Sequence, residues 1–175
     1  TSTYLAGKMT RREEQEVHFV RIEEQVVRLK EMIGEMLNQS RLDQLTPYDL
    51  ELKPVDMNDL LRQLIATFEP VAQKKRQQLV FQAINRPASL RIDETRLKVA
   101  LSNLVDNALR YTGHEGTVFV SCQSQLDAIT IEILDEGPGI PLTSLPYIFD
   151  GFYRVEEHRP QNAGNGLGLS ISKKI

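Results

Sequence analysis

NLVDNALRYT, residues 103–112, is the stretch that decides how the rest of the chain is read. Asn103 and Asn107 lie four residues apart, in a segment of about 93–111 whose apolar spacing predicts a helix. Side chains at that spacing share one face, about one turn apart. Leu104, Ala108 and Val105 supply the packing side. Asparagine is a poor former of helix interiors, because its amide competes for backbone hydrogen bonds. Two of them on one face imply a compensating interaction. The amide carbonyl is a neutral, hard oxygen of the kind Mg²⁺ prefers, and the amide N–H can donate to a phosphate. Neutrality suits such a site, since an added carboxylate would repel a polyphosphate. Asparagines on a plain helix surface would read the same, so this stretch needs its neighbours.

Working outward toward the C-terminus, DEGPGI at 135–140 follows an alternating apolar run. Asp135 ends that strand, and Gly137-Pro138-Gly139 forces a tight turn. A carboxylate at a strand end can accept a hydrogen bond from an exocyclic amine such as adenine N6. Glycines beside it let backbone approach a flat ring. IFDGFYR at 148–154 brings Phe149, Phe152 and Tyr153 around a glycine, which predicts a small hydrophobic anchor with Arg154 just beyond it. The polar stretch VEEHRPQNAG, 155–164, then reads as a lid of about ten residues. GNGLGL at 164–169 feeds LSISKKI, which has the spacing of a helix start. A glycine-rich turn entering a helix offers N–H groups to an anion. No GK[ST] follows it, so it is not a Walker A loop, and no βαβ unit frames it as a Rossmann fingerprint. Each motif is weak alone. Their order and spacing together describe a nucleotide pocket.

Toward the N-terminus, Ile22, Val26, Leu29, Ile33 and Met36 or Leu37 recur at three- and four-residue steps. They predict one long amphipathic helix over about 11–44, with a seam narrow enough to need a partner helix. LELKPVDM reads as a short strand entering a helix of roughly 57–75, with Asp56 as N-cap and Asp59 in the first turn. The basic run Lys74, Lys75, Arg76 suits that helix's C-terminus. Strands are expected at 79–84 and 89–92, and a β-hairpin at 117–123 and 128–134. Strands and helices mix without strict βαβ alternation. The fold class is therefore α+β, a two-layer α/β sandwich with a mixed sheet on one side and helices on the other, preceded by the long helix.

Composition bounds the alternatives. At 175 residues the chain is long enough for one sizeable domain and an appendage. Its formal net charge of −3 argues against a general polyanion binder, so nucleic acid is not expected as a partner. The single Cys122 excludes an internal disulfide and a cysteine metal cluster, and reads as a small packing residue in an alternating strand. No apolar run approaches the ~20 residues of a membrane span, and no signal peptide is visible. The chain is expected to be soluble as given and cytoplasmic, which is compatible with a parent anchored in a membrane.

The four motifs resemble the N, G1, F and G2 boxes of the sensor histidine kinases, a branch of the GHKL superfamily, and the resemblance runs from about residue 50 to the end. It implies a site for ATP and Mg²⁺. Asn107 would ligate the metal and Asn103 would help bind phosphate. Arg110 and Tyr111 match positions facing the phosphates and the nucleotide, Asp135 would read adenine N6, and Gly137 and Gly139 would support it. Gly164, Gly166 and Gly168, with Leu167 and Leu169 between and beyond them, would border the triphosphate. By the same resemblance Arg154 would be the lid arginine, and Asn103, Arg110 and Arg154 would take the catalytic roles. Residues 1–46, ending near NQSRLD, are similar to the second helix of a dimerisation and phosphotransfer hairpin. A linker with the first strand spans 47–54, and the ATP-binding domain 55–175. The implied partners are a response-regulator receiver domain and, in the intact protein, a second copy joined through the hairpin helices.

Two departures bear on activity. The phosphoacceptor motif, of the type S-H-E-x-x-x-P, is not found: His18 lacks the acidic follower and the proline, and His114 and His158 fall in loops. The chain also stops within the helix after GLGL, which predicts an open sheet edge or an uncovered core nearby. Three rivals share the pocket or the fold: a GHKL ATPase, a degenerate kinase acting as an interaction module, and a serine kinase of the anti-sigma type. The ATPases usually place a water-activating Glu where Asn103 stands here, and asparagine cannot serve as that base.

Overall fold

The computed structural model describes residues 49–84, 89–125, 128–155 and 165–175, together with 18, 19, 22, 23, 25–27, 29, 30, 33, 34, 36, 37, 40 and 46. The chain divides into two compact units, Thr1–Arg41 and Leu42–Ile175. In the first unit every described residue from His18 to Ser40 is helical, and the seam residues Ile22, Val26, Leu29, Ile33, Met36 and Leu37 are exposed.

The second unit runs β1 (Leu52–Asp56), α1 (Met57–Lys74), β2 (Gln78–Gln82), β3 (Ser89–Asp93), α2 (Glu94–Tyr111), β4 (Thr117–Ser124), β5 (Ile129–Asp135), a 3-10 turn (Leu145–Tyr147) and α3 (Gly168–Lys174). Both long helices begin at an aspartate. The Asp56 carboxylate accepts the N–H groups of Asn58 (2.8 Å) and Asp59 (3.1 Å), which satisfies two of the helix's orphan donors. Asp93 accepts the Arg96 N–H at 3.1 Å and the Arg96 guanidinium at 3.0 Å.

The mixed sheet expected from the sequence is divided in two. β1 and β3 form an antiparallel ribbon, with Leu52 opposite Asp93 and Asp56 opposite Ser89. The two capping aspartates thus stand at opposite ends of the ribbon, and the helices leave from those ends. The other sheet has the order β2-β4-β5, with β2 parallel and β4 antiparallel to their neighbours β4 and β5. Alternation in β4 turns Val118, Val120 and Cys122 inward against Leu60, Leu61, Leu64, Val105 and Leu109 of the helices. Burial raises the Cys122 thiol pKa, as suits a packing residue. Among the described residues β5 is a sheet edge, and its Leu134 is exposed. One tie escaped the sequence reading. The Asn58 amide pairs both ways with Ile84, donating to its carbonyl at 3.0 Å and accepting its N–H at 2.9 Å.

Burial disfavours the charge on Asp93, but the N–H groups of Arg96 and Glu51 and the Arg96 guanidinium outweigh it and hold the pKa below the ordinary 3.8. The stability this carboxylate contributes is complete above the unfolded value and is lost as pH falls through the lower folded one. Asp93→Asn, which still caps, should cost about 1 kcal/mol at pH 7. It should also remove this residue's share of the acid-induced decline below pH 3.8, as urea unfolding across pH would show.

Candidate functional site

The site is organised by α2. Leu101, Val105, Ala108 and Leu109 are buried, which leaves Asn103, Asp106, Asn107 and Arg110 half-buried at the margin. Asn103 donates from Nδ2 to the Gly168 carbonyl at 3.1 Å, so one amide hydrogen holds the first residue of α3. Ser172 Oγ repeats the tie, at 3.1 Å from the Ala100 carbonyl and 2.9 Å from that of Gly168. Leu167 and Ile171 are buried together, with Val99 packed against them. The Leu167 side chain is thus enclosed, and it can meet a ligand only through backbone; Leu169 is half-buried.

Asn107, one turn beyond Asn103, makes no side-chain hydrogen bond among the described residues. Its neutral carbonyl oxygen is chemically fit to be one ligand of Mg²⁺. Among the described residues no cluster of three or more His, Cys, Asp or Glu side chains is placed to hold a metal. An ion here would depend on Asn107, phosphate oxygens and water, the donor set that suits magnesium. The Arg110 guanidinium is ion-paired with Asp106 on the preceding turn.

Asp135 closes β5, and its Oδ1 accepts the Gly137 N–H at 2.8 Å. The turn thereby orients the carboxylate and leaves Oδ2 as a further acceptor. A Cβ at Gly137 would stand 2.5 Å from Asp135 Oδ1 and 3.2 Å from the Tyr111 carbonyl oxygen, so a side chain there would displace the Asp135 carboxylate and press on the end of α2. The Tyr111 side chain is exposed beside it, and Gly139 has a left-handed backbone, φ +75°.

The aromatic motif differs from its expected form. Phe149 and Phe152 are exposed, with the Lys173 ammonium 5.1 Å from the Phe149 ring and Tyr147 5.6 Å from Tyr153. The anchor is backbone instead. Phe152 is left-handed, φ +67°, and its N–H donates to the Gly166 carbonyl at 3.0 Å. Gly166 is itself left-handed, and a Cβ there would lie 2.9 Å from the Phe152 carbonyl carbon and the Tyr153 oxygen. Aromatic side chains gave no sign of this, because the pairing uses main-chain atoms only. Arg154 is half-buried at the end of a described run. Gly164, His158 and the lid over 156–164 lie outside the described residues; His18 and His114 are exposed.

Fold and motif order together define a GHKL-type ATP-binding domain. Residues 92–175 match the family of histidine kinase-, DNA gyrase B-, and HSP90-like ATPases, and the chain belongs with the sensor histidine kinases of that family. It is similar to the sensor histidine kinase CusS of Escherichia coli strain K12, 33% identical over 180 residues that cover 100% of this chain and 36% of CusS. The chain thus spans about a third of that relative. Full-length ShkA in complex with AMPPNP superposes with a TM-score of 0.73 at 28% identity, over 83% of this chain and 30% of ShkA. Histidine kinase ThkA in complex with the response regulator TrrA gives 0.65 at 25% identity, over 78% of this chain and 42% of that one.

Gly166→Ala should destabilise the domain by about 2 kcal/mol or more, since it adds both φ strain and a contact with unyielding backbone. Chemical denaturation measures the loss, and amide exchange should place it in α3 and around Phe152.

Proposed function

We propose that this chain is the ATP-binding catalytic portion of a two-component sensor histidine kinase. The single observation that carries the reading is the convergence on α2: the Asp135–Gly137 turn rests on its C-terminal end, and Gly168 is held by Asn103. This brings a base-reading carboxylate, a glycine-rich helix entry and the Asn107 oxygen to one helix. ATP binds there, with the adenine amine at Asp135 and the phosphates toward Asn103, Arg110 and the glycines. Mg²⁺, held by Asn107, would screen phosphate charge when bound. Asp106 orients Arg110, and Arg154 reaches the phosphates from the lid. A histidine nitrogen attacks the γ-phosphorus in line, the bond to the bridging oxygen breaks and ADP leaves. The phosphoryl group passes on to a response-regulator aspartate.

Residues 1–46 are the second helix of the dimerisation hairpin in this reading, 47–54 the linker and 55–175 the ATP-binding domain. The exposed seam Ile22, Val26, Leu29 and Ile33 supports a helical partner from a second copy. The nucleophilic histidine and the membrane anchor belong to the parent protein, and this portion is cytoplasmic. No helix among the described residues is long and apolar enough to cross a membrane.

Calorimetric titration with a non-hydrolysable ATP analogue, with and without Mg²⁺, tests the reading. Binding should depend on Mg²⁺, and Asp135→Asn should weaken it by about tenfold to a hundredfold, the worth of one charge-assisted hydrogen bond. Asn107→Ala should abolish the Mg²⁺ dependence. A folded chain that ignores ATP would overturn the proposal. Steady ATP hydrolysis that requires Asn103 would replace it with the ATPase rival.

A further inference from the structure

The C-terminal end of α2 is held from outside the helix. The last carbonyls of a helix have no partner within it. Here Lys75 Nζ donates to the carbonyls of Leu109 (2.8 Å) and Arg110 (3.2 Å). Gln77 Nε2 donates to those of Leu109 (3.0 Å), Thr112 (2.7 Å) and Gly113 (3.1 Å). Lys75 was expected to serve the end of its own helix, and it serves the next one. Its positive charge suits the negative end of the α2 dipole. Gln77 is buried, and its Oε1 and the Thr112 Oγ1 have no hydrogen-bond partner. A flipped Gln77 amide would set Oε1 against three carbonyl oxygens, so the NH₂ group alone fixes its orientation. Two backbone bonds extend the seam, from Gln78 N–H to the Gly116 carbonyl (3.0 Å) and from Glu115 N–H to that of Lys75 (3.2 Å).

This seam leads to the base-reading carboxylate. Tyr111 lies within the held segment, and its carbonyl backs Gly137 closely: a Cβ there would stand 3.2 Å from the carbonyl oxygen, tighter than ordinary van der Waals contact. The Gly137 N–H in turn orients Asp135 at 2.8 Å. Glu136, between them, accepts the Thr117 N–H at 2.8 Å, just past the same turn.

We infer that Lys75 and Gln77 are positioning residues for purine selection, acting through the α2 C-terminus on the Asp135–Gly137 turn. The inference rests on the nucleotide-binding reading above. Asp135 favours adenine because adenine offers an amine where guanine offers a carbonyl oxygen. A turn that shifts by a fraction of an ångström loses that discrimination before it loses phosphate binding, since Asn107 lies a full turn deeper in the helix.

The test measures the full chain with Mg²⁺ and non-hydrolysable ATP and GTP analogues by calorimetry, at a temperature where circular dichroism shows each variant folded. Lys75→Met and Gln77→Leu should each lower the ratio of ATP to GTP affinity by at least about tenfold. The dependence of ATP-analogue binding on Mg²⁺ should stay as in the unaltered protein, and Lys75→Arg, which keeps cationic donors, should restore the ratio. A loss of stability alone would not move that ratio. Folded variants that keep the original ratio overturn the inference, whether or not they bind more weakly. Should Lys75→Met fail to fold, Lys75→Gln, which keeps an amide NH₂ but loses the charge and some reach, is read in its place, and should Gln77→Leu fail, Gln77→Asn, one methylene shorter, replaces it; each should still lower the ratio, and an unchanged ratio overturns the inference. If the unaltered chain binds neither nucleotide, the nucleotide-binding reading itself falls and takes this inference with it.

Discussion

The register of α2 is the constraint on which the rest depends. Leu101, Val105 and Leu109 recur at four-residue steps and are buried against the sheet and α1. Each buried side chain of this size contributes about 2 kcal/mol. A rotation of the helix by one residue would expose all three at once, so the core sets its azimuth far more firmly than any polar contact could. Asn103 and Asn107 inherit their direction from that packing. Their own contacts then need only a weak energy, such as one hydrogen bond from Asn103 to Gly168.

Polar ties in this domain divide by burial. The pairs Lys53–Glu51, Arg62–Asp59 and Arg76–Glu115 are largely exposed, and water screens them, so each contributes little. The Asn58–Ile84, Gln77–Thr112 and Asp93–Arg96 contacts lie in partly or fully dry surroundings. There an unmade bond costs more than a made one gains, so these contacts decide where strand ends and helix ends must sit. The glycine loops show the same economy in backbone form. Gly166 and Phe152 are both left-handed where they pair; the strain falls on Phe152, since glycine adopts this backbone freely, and the buried Leu167 follows Gly166 directly in the chain.

Much of this was legible in the sequence. The spacing of 57–75 and of 93–111 anticipated α1 and α2 to within a residue or two, and alternation anticipated the β4–β5 hairpin. Asp56 reads as a cap because capping acts over two or three residues. Asp135, Gly137, Gly166 and Gly168 stand in their motifs because a turn has few sequence solutions. The division of the sheet was not legible, since alternation shows that a segment is a strand and not which strand it pairs with. The aromatic anchor differs for a related reason: side-chain type points to burial, but Phe149 and Phe152 are exposed and main-chain pairing to Gly166 makes the contact.

The sequence by itself determined whatever is local: helix periods, capping aspartates, the glycine turns, and the order of motifs that marks an ATP-binding domain. Only the tertiary structure decided that Lys75 and Gln77 hold the carbonyls of Leu109, Arg110, Thr112 and Gly113, at separations of 32 to 36 residues. It also decided that Gly137 lies against Tyr111. No period or spacing encodes such contacts. They arise when burial of the apolar faces brings two chain ends together and leaves their polar groups to pair with whatever is nearest.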